Sequence, residues 1–145
     1  MIDELSKQLS LYRLNKAKDL LSQAKLLHEN KKYDGSINRS YYAIFNAIRA
    51  LLALSKIDNS KHSGVLSYFD RYFVKTKILS KKYSKIATLA FDSRQDYDYE
   101  DFYIPTNEES EIQITDSENF ITEIEMKSKQ LIDNKIQLPE IELQN

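Results

Sequence analysis

Over Ile37-Asn38-Arg39-Ser40-Tyr41-Tyr42-Ala43-Ile44-Phe45-Asn46-Ala47-Ile48-Arg49-Ala50-Leu51-Leu52-Ala53-Leu54 the side chains sort onto the faces of a helix. At about 100° per residue, Ile37, Tyr41, Ile44, Phe45, Ile48, Leu51 and Leu52 share one face. Ala43, Ala47 and Ala50 form a small-residue stripe beside it, closed by the larger Leu54, over which another helix can approach closely. The remaining side carries Arg39, Tyr42, Asn46 and Arg49. Two arginines and an amide on an otherwise core-forming helix are a candidate site, and a solvated face with local salt bridges fits the same pattern.

Outward from this helix the chain reads as five helices and little else. The quoted stretch begins after Asp34, an N-cap candidate with Gly35 and Ser36 in the first turn, and ends near Ser55. Upstream, a first helix spans about 3–29, with Leu5, Leu9 and Tyr12, then Leu20, Ala24 and Leu27, at helical spacing. Downstream, a third starts near Ser60 and carries Val65, Leu66, Phe69, Tyr72 and Phe73 on one side. Ser80 caps a fourth, with Tyr83, Ile86, Ala87 and Ala90 as its stripe. The pattern lapses over 100–115, where Pro105 and a glutamate run predict a loop. Thr115 or Asp116 then caps a fifth helix with Phe120, Ile121, Ile124, Leu131 and Ile132 on its apolar face. Only two glycines and two prolines occur in 145 residues, too few turn formers for a sandwich or barrel. The expectation is one all-α domain over 1–137, an up-and-down helical bundle, followed by a tail over 138–145.

Composition narrows the function classes. No cysteine means no disulfide framework, no CxxC redox site and no thiolate zinc site. Two histidines, His28 and His62, are too few for a His-rich metal site, and neither a metal nor a cofactor is expected. No apolar run approaches a membrane span, and the N-terminus carries no secretory pattern, so a cytoplasmic protein is expected. The net charge of -1 hides an asymmetry. Arg71, Lys75, Lys77, Lys81, Lys82 and Lys85 follow one another without an acid, while 92–118 holds many acids and the single base Arg94. The basic stretch, with Tyr72, Phe73 and Tyr83 interleaved, suits RNA phosphates and equally a solvated lysine-rich surface.

Arg94 is the sharpest anomaly. It occupies the next position of the fourth helix's apolar stripe, with Tyr97 and Asp98 on the same side. A guanidinium held there needs an anionic partner, either Asp98 one turn on or a phosphate. No GxGxxG, P-loop, HExxH or GxSxG motif is present. His62 stands near a helix start beside Lys61, a setting that suits an anion as well as a structural histidine.

Asn38 to Ala47, then Arg49-Ala50-Leu51-Leu52, resembles the second helix of the HEPN superfamily. Lys61-His62-Ser63-Gly64-Val65, Phe73-Val74-Lys75-Thr76 and Ile78-Leu79 continue the likeness, and Arg94-Gln95-Asp96-Tyr97-Asp98-Tyr99 with Asp101-Phe102 resembles the family's arginine-rooted motif. The likeness runs over roughly residues 5 to 135 and is similar to the prokaryotic branch that accompanies minimal nucleotidyltransferases. It implies a helical bundle that dimerises. It also implies a metal-independent endoribonuclease, in which a motif histidine deprotonates the RNA 2′-OH and the motif arginine stabilises the phosphate. In this chain Arg94 matches the arginine, but Tyr99, Glu100 and Asp101 fill the places of the histidine.

The expected function is therefore a HEPN effector of a toxin–antitoxin or phage-defence module that acts on RNA through a divergent site. Arg94, Asp98, Tyr99 and His62 are its catalytic candidates, and Arg39, Asn46, Arg49 and Lys61 its phosphate-binding candidates. A homodimer and a nucleotidyltransferase partner are the expected assemblies. The likeness further implies that the transferase adenylylates a tyrosine beside the motif, for which Tyr97, Tyr99 and Tyr103 are candidates. The alternatives are a non-catalytic module that binds nucleotide, RNA or the transferase, and a structural adaptor built on the alanine stripe.

Overall fold

Fifteen of the 22 positions of the second helix are buried, and the other helices are arranged around it. A computed structural model describes residues 1–99 and 101–142, with 97–99 by backbone alone. Among these residues there are five α-helices and no strand: α1 (Glu4–Glu29), α2 (Tyr33–Leu54), α3 (His62–Phe69), α4 (Lys81–Tyr99) and α5 (Asn107–Ile132). A π-helical turn, Asp70–Val74, extends α3, and the Lys75 N–H donates to the Asp70 carbonyl at 2.8 Å. The protein is thus an all-α bundle, as its sequence predicts. Helix α2 packs against all four other helices, which is why it is apolar around most of its circumference. Tyr41, Ile44, Ile48, Leu51 and Leu52 of α2 meet Phe69, Phe73, Phe120, Ile124 and Leu131 in one core.

The α1–α2 contact is the most extensive, and it is made through small residues. The buried positions of α1 are Ser6, Ser10, Leu14, Ala17 and Ala24. The Ser36 hydroxyl donates to the Ala24 carbonyl at 2.8 Å, so the two backbones lie close. A Cβ added at Gly35 would stand 3.3 Å from Leu27 Cδ1. This corrects the first half of the apolar-stripe reading of α1, while Ala24 is buried and Leu20 packs against the core as expected. Leu5, Leu9 and Tyr12 are 75%, 42% and 66% exposed. A seam of Ser and Ala lets helices approach where bulky side chains would hold them apart, so the larger residues turn outward.

The start of α5 is corrected in the same way. The helix begins at Asn107, not after Thr115, and most of the expected loop is helical. Thr106 is the N-cap, its hydroxyl accepting from the Glu109 N–H at 3.1 Å while Glu109 reaches back to it. The first inward-facing residues are Ser110, Gln113 and Ser117, polar side chains that give no apolar period. Ser117 donates to the Ser40 carbonyl of α2 at 3.1 Å. Replacing Thr106 with alanine should therefore cost about 1 kcal/mol, read from the urea midpoint at unchanged slope.

Smaller boundary shifts follow local hydrogen bonding. Lys32, not Asp34, precedes α2, and Asp34 instead accepts from the Gly35 N–H inside the first turn. Lys61, not Ser60, is the N-cap of α3. Lys18–Glu125 and Lys25–Glu118 ion pairs link the outer edges of α1 and α5. Past the last helix, Leu138 and Ile141 lie half-buried against the core. Among the described residues no helix is long and apolar enough to cross a membrane.

Candidate functional site

Tyr41 and Tyr42 sit side by side on α2 and collect the chemistry of two other helices. Arg94 of α4 comes over both rings, its guanidinium carbon 5.5 Å from each centroid. It also donates to the Tyr42 hydroxyl at 3.1 Å. The α4 stripe of Ile86, Ala87 and Ala90 is buried, so the next residue of that stripe is carried inward to a half-buried place.

His62, at the first turn of α3, reaches the same pair of tyrosines from the opposite element. The Tyr41 hydroxyl and His62 Nδ1 are 2.7 Å apart. The imidazole stacks on Phe45 at 4.2 Å and meets the edge of Tyr42 at 5.9 Å. Local packing at the helix start helps fix this position. Gly64 lies against the Asn59 side chain, and an added Cβ would come within 2.3 Å of it. That Asn59 carbonyl oxygen in turn accepts from the Lys61 N–H at 2.9 Å. A glycine suits that place because the Asn59 side-chain amide, held by the Lys61 N–H, fills the space a Cβ would take.

A second cluster holds that loop down. Asp58 accepts from Arg49 of α2 at 2.8 and 3.3 Å and from Arg13 of α1 at 3.3 Å. Arg13 also donates to the Arg49 carbonyl at 3.1 Å. Burial alone would raise the Asp58 carboxyl, but hydrogen bonds from Arg49 and the Asn59 N–H, with both arginine charges, hold it below the usual carboxylate range. Beside it runs an open groove of about 520 Å³ walled by Phe45, Arg49, Asp58, Asn59, Ser60 and His62.

The electrostatics of the cluster favour neutral, proton-exchanging groups near two cations. Burial, then the Arg94 and Arg49 charges, push the His62 pKa below its ordinary value. Burial pushes the Tyr41 phenol up, which keeps its proton in place. An imidazole poised to accept a proton thus stands beside guanidinium charge that could hold an anion. Among the described residues there is no group of three or more His, Cys, Asp or Glu arranged to bind a metal ion.

Of the residues singled out from the sequence, Arg94, His62 and Arg49 come together here. Arg39 points its hydrogen bonds at Gln23 of α1 and at Asn38. Asn46 is buried and donates to the Tyr42 carbonyl of its own helix. Lys61 is exposed next to His62. The side chains of Tyr97, Asp98 and Tyr99 lie outside the described residues, so the Asp98 and Tyr99 assignments and an Arg94–Asp98 pairing do as well. Tyr103 is exposed on the connection between α4 and α5. Sequence reasoning missed Tyr41 and Tyr42 as the platform, and Arg13 and Asp58 as the clamp. Tyr42 offered one signal, since it lies on the polar side of α2 next to Arg39 and Arg49.

Comparison with known proteins places this arrangement. A family model described as HEPN domain matches residues 10–127. A protein of Methanocaldococcus jannaschii named "Putative toxin MJ0605" is 37% identical over 116 residues, covering 80% of this chain and 86% of its own length. A UPF0332 protein of Thermotoga maritima is 37% identical over 114 residues, covering 79% and 86% of the two chains. A second Methanocaldococcus jannaschii protein, "Putative toxin MJ0142", is 34% identical over 87 residues, 60% of this chain and 59% of its own. With the bundle, the arginine in the α4 stripe and a match over most of its length, the chain belongs to the HEPN domain family.

Proposed function

We propose that this protein is the toxin-like effector of a prokaryotic toxin–antitoxin or phage-defence module and cleaves RNA. The observation that carries the reading is the meeting of Arg94 and His62 on the Tyr41–Tyr42 platform. A phosphodiester beside that platform would be gripped by the guanidinium. In the tautomer where His62 Nδ1–H donates to the Tyr41 oxygen, Nε2 keeps a lone pair. It then takes the proton of a ribose 2′-OH as O2′ attacks the adjacent phosphorus. The O2′–P bond forms, the P–O5′ bond breaks, and the leaving O5′ is protonated by solvent. Arg94 stabilises the charge that builds on the non-bridging oxygens. His62 thus stands in for the motif histidine absent from 99–101. The named relatives called toxins support the effector role.

Two copies of the chain and a minimal nucleotidyltransferase complete the proposed assembly. Tyr103, 43% exposed, is an accessible acceptor for modification by that transferase. A second reading, a module that binds nucleotide or RNA without cleaving it, is favoured by the motif itself, where no histidine follows Arg94 at the usual spacing.

The pH profile of RNA cleavage separates the two readings. The groups facing His62 are Tyr41, Tyr42 and Arg49 of α2, Arg94 of α4, and Asp58 of the loop. With its pKa lowered, His62 acts as a base already below pH 6.5, so the acid limb of the rate profile falls under that value. Arg49→Gln removes a cation and moves the limb up. His62→Gln removes the limb and lowers the rate by about 10²–10⁴. A profile unchanged in both variants would contradict the base assignment. Stability carries the matching sign: folded His62 binds a proton less readily than unfolded, so its contribution is complete above the unfolded pKa and is lost as pH falls through the folded one.

A further inference from the structure

Away from the platform, the outer side of α3 carries a feature that the cleavage chemistry does not use. Ser63, Ser67, Arg71 and Lys75 recur every four residues and are all exposed or half-exposed, forming a stripe of hydroxyls and cations that starts beside His62. Of the acids near the stripe and its groove, Asp70 is half-buried and Glu123 is paired with Lys127. The stripe runs into a groove of about 790 Å³ at the turn between the π-helical segment and α4, lined by Lys75, Lys77 and Lys81 among others. Lys127 on its far wall faces Glu123 at 3.9 Å. Among the described residues, Lys75, Lys77 and Lys81 have no carboxylate partner.

We propose that the stripe and the lysine groove form a second binding site, for the phosphodiester backbone of a single RNA strand on its way to the platform. The inference rests on the RNA reading above and adds the path of the substrate. Twelve residues separate Ser63 from Lys75, somewhat under the ~18 Å that an α-helix of that length spans, since Asp70–Val74 is π-helical. Over the later part of α4 the exposed Asp92 and Asp96 disfavour a polyanion. Serine hydroxyls donate to phosphate oxygens and lysines attract them without reading bases, so the site binds RNA with little sequence preference.

The test is fluorescence anisotropy with a labelled 20-nucleotide RNA over a salt series, with folding checked by thermal melts. Lys75→Glu/Lys77→Glu/Lys81→Glu should bind at least tenfold more weakly, with a salt slope shallower by about two to three. Lys7→Glu/Lys16→Glu/Lys135→Glu makes the same charge change elsewhere and should bind within about threefold of the unaltered protein. Equal weakening by both triple variants, or none by the groove variant, overturns the proposal. So does equally tight binding of poly-glutamate, which would mark the groove as a protein-docking surface. The nuclease reading fails separately: if the unaltered protein binds RNA through the groove but cleaves none, the groove stands and the catalytic assignment falls. Cleavage with groove-independent binding has the opposite meaning.

Discussion

Replacing Arg94 with alanine is expected to lower RNA cleavage by about 10²–10³-fold while RNA affinity changes only a few-fold. The guanidinium is held ready, half-buried between two tyrosine rings and tied to the Tyr42 hydroxyl at 3.1 Å. Charge fixed in such a place needs little reorganisation when the phosphate gains negative charge, so the loss falls on the rate more than on binding. Arg94→Lys should recover little of it, because an ammonium cannot reproduce the planar fork or lie flat on the rings. Melting curves check that the variant stays folded; the described contacts it loses are those to a half-buried hydroxyl and two ring faces. Single-turnover cleavage of a defined RNA, with melting curves as control, reads both effects. Equal cleavage by the variant and the unaltered protein contradicts the assignment.

Phe120→Ala is expected to cost about 3–5 kcal/mol, several times the loss from removing the Thr106 cap. The ring is fully buried, 5.6 Å from Phe69 and 5.9 Å from Tyr83. It therefore ties α5 to both α3 and α4, the helices that carry His62 and Arg94. A domain of this size has only about 5–15 kcal/mol in total, so urea unfolding should begin at very low denaturant. Because α3 and α4 lose a shared contact, cleavage by the remaining folded protein should fall too. A loss under about 1 kcal/mol would mean that the cavity collapses freely, and that this ring does not hold the helices together.

The sequence made the central helix and its oddest neighbour readable, for physical reasons. Helix α2 is buried around most of its girth, so apolar and small residues fill it and the few polar ones stand out on one side. Arg94 stands out because the α4 stripe predicts an apolar residue there. The rest was hidden where packing uses small or polar side chains. Ser10, Ala17 and Ala24 make the α1 seam, while Leu5, Leu9 and Tyr12 mimic it on the outside. Ser110, Gln113 and Ser117 face inward at the start of α5 and give no hydrophobic signal. The site's pairings are long-range. His62 finds Tyr41 across 21 positions, and Arg13 finds Asp58 across 45, spacings that no local motif encodes.

The most direct test of a shared Arg94–His62 site is the proton NMR signal of the His62 ring, followed through a pH titration with and without an RNA carrying a 2′-deoxy ribose at the cleavage position, which binds uncut. With a phosphate bound beside the imidazole, the His62 pKa rises and its resonance shifts; in Arg94→Ala the pKa of the free protein already lies higher, and the change on binding RNA is smaller. A His62 signal that stays unmoved while the RNA is bound would contradict the account.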